Sequence, residues 1–146
     1  MDNDSLKSGT YIKVSIAFEH DEAEGMSSEC LWARYLQDGL AKICNIPLMA
    51  PEISLGDTVL INEDYEVVEI RERAADTRII RYQACEEDED NLSLYTVIFN
   101  YFSENNIPAE SMFPGMIALA VPLGERHLEK LCDECPVKII LYPIKD

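Results

Sequence analysis

Basic residues are scarce in this chain: 12 Lys and Arg stand against 28 Asp and Glu, giving a net charge of −16. A surface this negative repels polyanions at long range, which argues against nucleic acid and anionic membrane as partners. No apolar run approaches the ~18 residues that a membrane-spanning helix needs. The start at residues 1–10 is polar and acidic, without the basic and apolar segments of a secretory signal. Five cysteines, an odd number, lie scattered in mostly apolar surroundings, so reduced and mostly buried thiols in a cytoplasmic protein are expected. Nucleophile elbows, glycine-rich phosphate loops and paired-histidine metal motifs are also missing. The expectation is a protein that is not an enzyme and calls for no cofactor.

What remains is ample for folding. With 146 residues, 47% of them hydrophobic, the chain buries roughly 68–70% of its unfolded surface and needs no disulfide or metal. Residues 11–18 alternate, with Ile12, Val14 and Ile16 on one face and Lys13 and Ser15 on the other, as in a half-buried strand. Residues 20–28, acidic and carrying Gly25, read as an exposed loop. Further strands are expected at 30–36, 40–45, 58–62, 65–73 and 78–84, with Asp38-Gly39 as a hairpin turn between the first two of these.

The period changes after residue 90. Leu92, Leu94, Tyr95, Ile98, Phe99 and Phe102 recur at three- and four-residue spacing, which predicts an amphipathic helix capped by Asp90 or Asn91 and stopped before Pro108. A strand buried on both faces at 116–121, a short helix at 125–132 with Leu128, Leu131 and Cys132 inward, and a last strand at 137–142 complete the pattern. The fold class is therefore α+β. A strand-rich bent sheet or small barrel (11–76) is followed by a split β-α-β-α-β, ferredoxin-like layer (77–146), the whole forming a single compact unit. The acid surplus is even, net −8 in residues 1–84 and net −8 in residues 85–146, so it is not an appended tail.

Glu29-Cys30-Leu31-Trp32-Ala33, Asn45-Ile46-Pro47 and Ser54-Leu55-Gly56-Asp57-Thr58-Val59 together resemble the bacterial family known as domain of unknown function 4265. That family shows an E-x-L-W-A strand, an N-I-P-F turn and a G-D-x-V strand start. Here Leu48 replaces the aromatic residue after Asn-Ile-Pro, and Thr77-Arg78 matches the family's later T-x-R element imperfectly. The resemblance implies a bacterial source and a stand-alone cytoplasmic fold, and it brings no catalytic residues.

Cys132-Asp133-Glu134-Cys135 is the lone C-x-x-C, with His127 five residues before it and His20 far away in sequence. A zinc site normally needs a second pair of ligands, and flanking acids raise a thiol pKa and blunt its reactivity, so a structural pair at a helix end is the favoured reading. Trp32 is expected in the core with its indole N–H paired. Two acidic clusters remain: Glu86, Glu87, Asp88, Glu89 and Asp90 before the helix, and Asp21, Glu22 and Glu24, beside Glu19, in the first long loop. Solvated loops explain them in part. They also suit a docking surface for a basic protein, and the lead expectation is an immunity or antitoxin-like inhibitor of a basic toxin such as a nuclease. The alternative is a regulatory domain that binds a small molecule or peptide in a pocket between the two parts, lined by Trp32 and Tyr35. A metal or redox role for His127, Cys132 and Cys135 is the minor third reading.

Overall fold

The structure, a computed structural model, describes residues 6–19, 26–47, 50 and 52–142. The chain is a strand-rich α+β protein that divides into two compact units, Met1–Ala75 and Asp76–Asp146, each with its own apolar core. No helix among the described residues is long and apolar enough to cross a membrane.

In the first unit five strands follow one another as an antiparallel meander: β1 (Tyr11–Glu19), β2 (Met26–Gln37), β3 (Leu40–Ile43), β4 (Thr58–Ile61) and β5 (Val67–Glu72). The alternation seen in β1 repeats along its neighbours. Ile12, Val14, Ile16 and Phe18 pack against Leu31, Ala33 and Tyr35 of β2, Ala41 and Ile43 of β3, and Val59 and Ile61 of β4. Each fully buried aliphatic side chain here contributes about 1.5–3 kcal/mol. Asp38 and Gly39 both adopt left-handed φ values, 52° and 80°, the geometry that matches a two-residue hairpin to strand twist. The sheet curls into a half-barrel, and the start of β5 returns to β1: Ser15 N–H donates to Tyr65 O at 2.9 Å, and Ser15 bridges Glu66 in parallel register.

The segment between β3 and β4 is anchored by polar side chains of the E-x-L-W-A and N-I-P motifs. Ala50 N–H donates to Glu29 Oε1 at 3.0 Å, and Trp32 N–H donates to Asn45 Oδ1 at 2.7 Å, so Asn45 prolongs the β2–β3 ladder with a side-chain amide. Asn45-Ile46-Pro47 is thus a structural turn with Ile46 and Pro47 buried. Gly56 has φ 91°, where a side chain is strained, and an added Cβ would stand 3.1 Å from Ala74 Cβ.

The second unit contains β6 (Ala75–Tyr82), α1 (Asp88–Glu104), β7 (Ala109–Phe113), β8 (Met116–Pro122), α2 (Leu128–Asp133) and β9 (Ile139–Leu141), with sheet order β7-β8-β6-β9. In β8 the five consecutive residues Ile117, Ala118, Leu119, Ala120 and Val121 are all buried, as an interior strand covered on both faces requires. The core adds Ile80 and Tyr82 of β6, Ile98 and Phe102 of α1, and Leu128 and Cys132 of α2.

Several expectations are corrected. Between the helices there are two strands, not one; β7 pairs with β8 from Ala109↔Leu119 to Phe113↔Met116. Its flanking prolines and its polar Glu110 and Ser111 hide it in sequence, because an edge strand tolerates both. The helix starts earlier than its apolar spacing suggests, with Glu87 at the N-cap, while Asn91 lies one turn inside and is buried. Leu92 and Phe99 are exposed, not inward; the buried stripe runs through Asn91, Ile98 and Phe102. β2 already begins at Met26, inside the stretch expected to be loop.

Candidate functional site

Chain geometry before α1 decides what the acidic run presents. After β6 the backbone passes Cys85, whose N–H donates to Asn91 Oδ1 at 2.7 Å while Asn91 Nδ2 donates to Cys85 O at 2.9 Å. This pair of bonds staples the incoming segment onto the first turn of the helix. Glu86 and Glu87 therefore precede the helix, and Asp88, Glu89 and Asp90 form its first turn. Acids there complement the positive end of the helix dipole, by about 0.3–1 kcal/mol each. Glu87 makes no side-chain cap hydrogen bond, and all five residues are exposed. None of the five carboxylates has an ion pair among the described residues. All five carboxylates are thus solvated, and Asp88, Glu89 and Asp90 also face the positive end of the helix dipole.

Asp21, Glu22 and Glu24, the other cluster, lie outside the described residues, as does His20.

The C-x-x-C pair closes α2. Cys132 is buried and Cys135 half-buried, and Cys135 N–H donates to Cys132 O at 3.4 Å. Burial pushes the Cys132 thiol up to about 11, with Cys135 and Asp133 adding to the rise, and burial also raises Cys135. Both thiols are thus held in the protonated, poorly nucleophilic form. His127 stands exposed at the N-cap of α2 with its backbone N–H donating to Glu125 Oε2 at 2.7 Å. Among the described residues no three His, Cys, Asp or Glu side chains come close enough to hold a metal ion.

The expectation of mostly buried thiols is corrected as well: all five cysteines are free, but Cys30 and Cys85 are exposed and Cys44 is half-buried. Trp32 is not a core residue. It is 47% exposed on the outer face of β2, with Lys13 Nζ 5.3 Å from its ring centroid. The parity of the strand is the reason: Leu31, Ala33 and Tyr35 take the inward positions, so the even-numbered residues between them face out.

Two polar residues prove central in roles the sequence did not suggest, Asn91 having been expected only as a possible N-cap and Asp57 only as part of a motif. Asp57 is fully buried, accepting N–H bonds from Ser54 at 2.9 Å and Ala74 at 2.7 Å, and Asn91 forms the staple described above. For Asp57 the signal was present, since a lone acid before a β-branched strand start follows Gly56 in the family motif.

A half-barrel meander joined to a β-α-β-β-α-β unit, carrying an acidic helix start and no metal-ligand cluster among the described residues, defines a small two-unit α+β protein. The profile described as "Domain of unknown function (DUF4265)" matches residues 29–134, and the chain belongs to that family. Among solved structures the chain is similar to that of a hypothetical protein from Neisseria gonorrhoeae, at 17% identity and a TM-score of 0.60, over 92% of this chain and 94% of that one. The likeness is one of fold. No curated protein matches the chain.

Proposed function

We propose that this is a binding protein that engages a basic protein partner through the acidic start of α1, as an immunity or antitoxin-like inhibitor acting on a cognate basic toxin in the bacterial cytoplasm. The observation that carries the reading is the set Glu86, Glu87, Asp88, Glu89 and Asp90: consecutive, exposed and free of ion pairs among the described residues. A helix start benefits from acid, but five adjacent like charges also repel one another. That surplus is what a cationic partner offsets. Concentrated charge raises association rates by about 10–10³, and a nuclease, which holds phosphates in a cationic site, is a target for which an acidic surface competes directly. The five free thiols suit a reducing compartment. The reading gives no residue a catalytic role.

The test compares three proteins in affinity capture from the source organism: the wild type, the variant E86Q/E87Q/D88N/E89Q/D90N, and a control that neutralises five acids elsewhere, E63Q/D64N/E104Q/E129Q/E134Q. The wild type and the control should retain one basic protein whose association slows steeply with salt, and the first variant should bind it at least about tenfold more weakly. Equal loss in both variants, or a partner that is not basic, overturns the reading.

We also infer that the second unit is layered as a ferredoxin-like fold. Its element order β-α-β-β-α-β and its strand order β7-β8-β6-β9 support this. An experimental structure with α1 and α2 on opposite faces of that sheet would sink it.

A further inference from the structure

The outer face of β1, β2 and β3 has a character opposite to that of the chain as a whole. The register places Tyr11 beside Arg34 and Lys13 beside Trp32, and Arg34 in turn beside Lys42. Parity sends these side chains outward, and Tyr11, Lys13, Trp32, Arg34 and Lys42 are all exposed. The described stretches 11–18, 28–36 and 40–44 contain one acid, Glu29, which stands at an inward-parity position and accepts the Ala50 N–H. None of Lys13, Arg34 and Lys42 has an ion pair among the described residues. In a chain with 12 basic residues and net charge −16, three unpaired cations around two exposed aromatic rings, without an intervening acid, form a discrete positive patch.

We infer that this face docks an acidic polypeptide segment, an activity separate from the acidic helix start and of opposite sign. Charge complementarity names the occupant, and patch size narrows it. Three strands spaced ~4.8 Å apart, over about four residues at ~3.4 Å each, give an area of roughly 10 by 14 Å. A short peptide carrying a few carboxylates fits within it. A nucleic acid strand extends past it toward the exposed Glu69 and Glu72 of β5 and the acid surplus beyond. The Debye length of ~8 Å at physiological salt lets the local patch govern a short ligand, whereas a long polyanion feels the remainder of the surface. Trp32 and Tyr11 supply apolar area beside the cations, which favours a peptide over a free inorganic anion, and Lys13 already stands over the indole face.

Trp32 is the lone tryptophan, so its emission reports this patch and nothing else in the protein. The full chain is titrated with a tetraglutamate peptide at low and at physiological salt, and in parallel with oligothymidylate of six nucleotides. The peptide should change Trp32 emission saturably, with affinity falling at least about tenfold between the two salt conditions. The variant K13Q/R34Q/K42Q should lose at least about tenfold in affinity, while the charge-retaining K13R/R34K/K42R and the control K7Q/K130Q/K138Q should bind as the wild type does. Circular dichroism verifies that each variant is folded. Absence of any peptide response overturns the inference. So does tighter binding of oligothymidylate, which would mark a single-strand nucleic acid surface. Emission that depends on protein concentration without added peptide overturns it too, because a second copy would then cover the face.

Discussion

The backbone N–H of Ala74 donates to Asp57 Oδ1 at 2.7 Å, joining residues 17 apart in sequence at the point where β4 begins. The same carboxylate accepts Ser54 N–H on Oδ2 at 2.9 Å and Ala75 N–H on Oδ1 at 3.4 Å, and Arg73 Nε stands 3.6 Å from Oδ2. A buried carboxylate is costly unless satisfied, and here backbone donors and one guanidinium satisfy it. Asp57→Ala orphans those donors and should cost about 2–4 kcal/mol. Asp57→Asn keeps the shape but turns one acceptor into a donor facing an N–H, and should cost about 1–3 kcal/mol. Urea unfolding followed by circular dichroism measures both; an alanine variant within about 1 kcal/mol of wild type would show that Asp57 is not the lock described.

Trp32 and Phe102 make a second pair of expectations. Both are large aromatic residues in apolar sequence, yet Trp32 is 47% exposed while Phe102 is 0% exposed in the core of the second unit. Phe102→Ala removes a fully packed ring and should cost about 3–5 kcal/mol, whereas Trp32→Ala should stay within about 1 kcal/mol. Thermal and urea unfolding of the two variants reads the contrast. A large loss at Trp32 would restore it to a structural role and remove it from the docking face.

The same two residues show how much of the molecule was legible in advance. Alternation marked β1 as a strand because apolar and polar residues differ sharply at neighbouring positions, and the Asp38-Gly39 turn needed left-handed backbone that few other pairs supply. What alternation did not overcome was the assumption that a tryptophan belongs inside, although the inward positions beside it were already taken by Leu31 and Ala33. In α1 two interleaved stripes share the same three- and four-residue spacing, and apolar content alone could not tell the stripe with Ile98 and Phe102 from the one with Leu92 and Phe99. Asn91, a polar residue, completes the inward stripe because its amide faces Cys85 and not water. The edge strand β7 carries a weak signal for a related reason: with only one strand partner, it has little need of continuous apolar residues. Of the candidate site, the run from Glu86 to Asp90 was visible as composition, and its exposure at a helix start was a matter of three dimensions. The basic face of β1–β3 was hidden by the bulk charge, which averages over surfaces that fold apart.

Asn91 itself is open to a direct test. Its side chain donates to Cys85 O and accepts Cys85 N–H, so both backbone polar groups of Cys85 depend on one amide. Asn91→Ala should destabilise the second unit by about 1–3 kcal/mol and speed amide exchange in the first turn of α1 more than at its end. Asn91→Asp retains the acceptor, loses the donor and adds negative charge beside Asp88, Glu89 and Asp90, so it should be at least as damaging. Uniform exchange along the helix in Asn91→Ala would argue that the staple does not hold the acidic run in place.

The thiol of Cys132 gives the chain a pH dependence with a defined sign. Its ordinary value of 9.0 is raised to about 11 in the folded protein, first by burial and then by Cys135 and Asp133. The folded state therefore keeps a proton that the unfolded chain gives up sooner. Below pH 9 both states carry it, and this group does not alter stability. Between about pH 9 and pH 11 the unfolded chain ionises first, so the folded state loses stability relative to it as pH rises through that window. Urea midpoints across this range should fall more steeply for the wild type than for Cys132→Ala, the difference in slope isolating this thiol from tyrosines and lysines that titrate nearby. At neutral pH the native protein should react with a thiol reagent first at the exposed Cys30 and Cys85 and last at the buried Cys132. Parallel slopes, or labelling of Cys132 as fast as Cys85, would mean that the helix-end pair is open to solvent and available for chemistry.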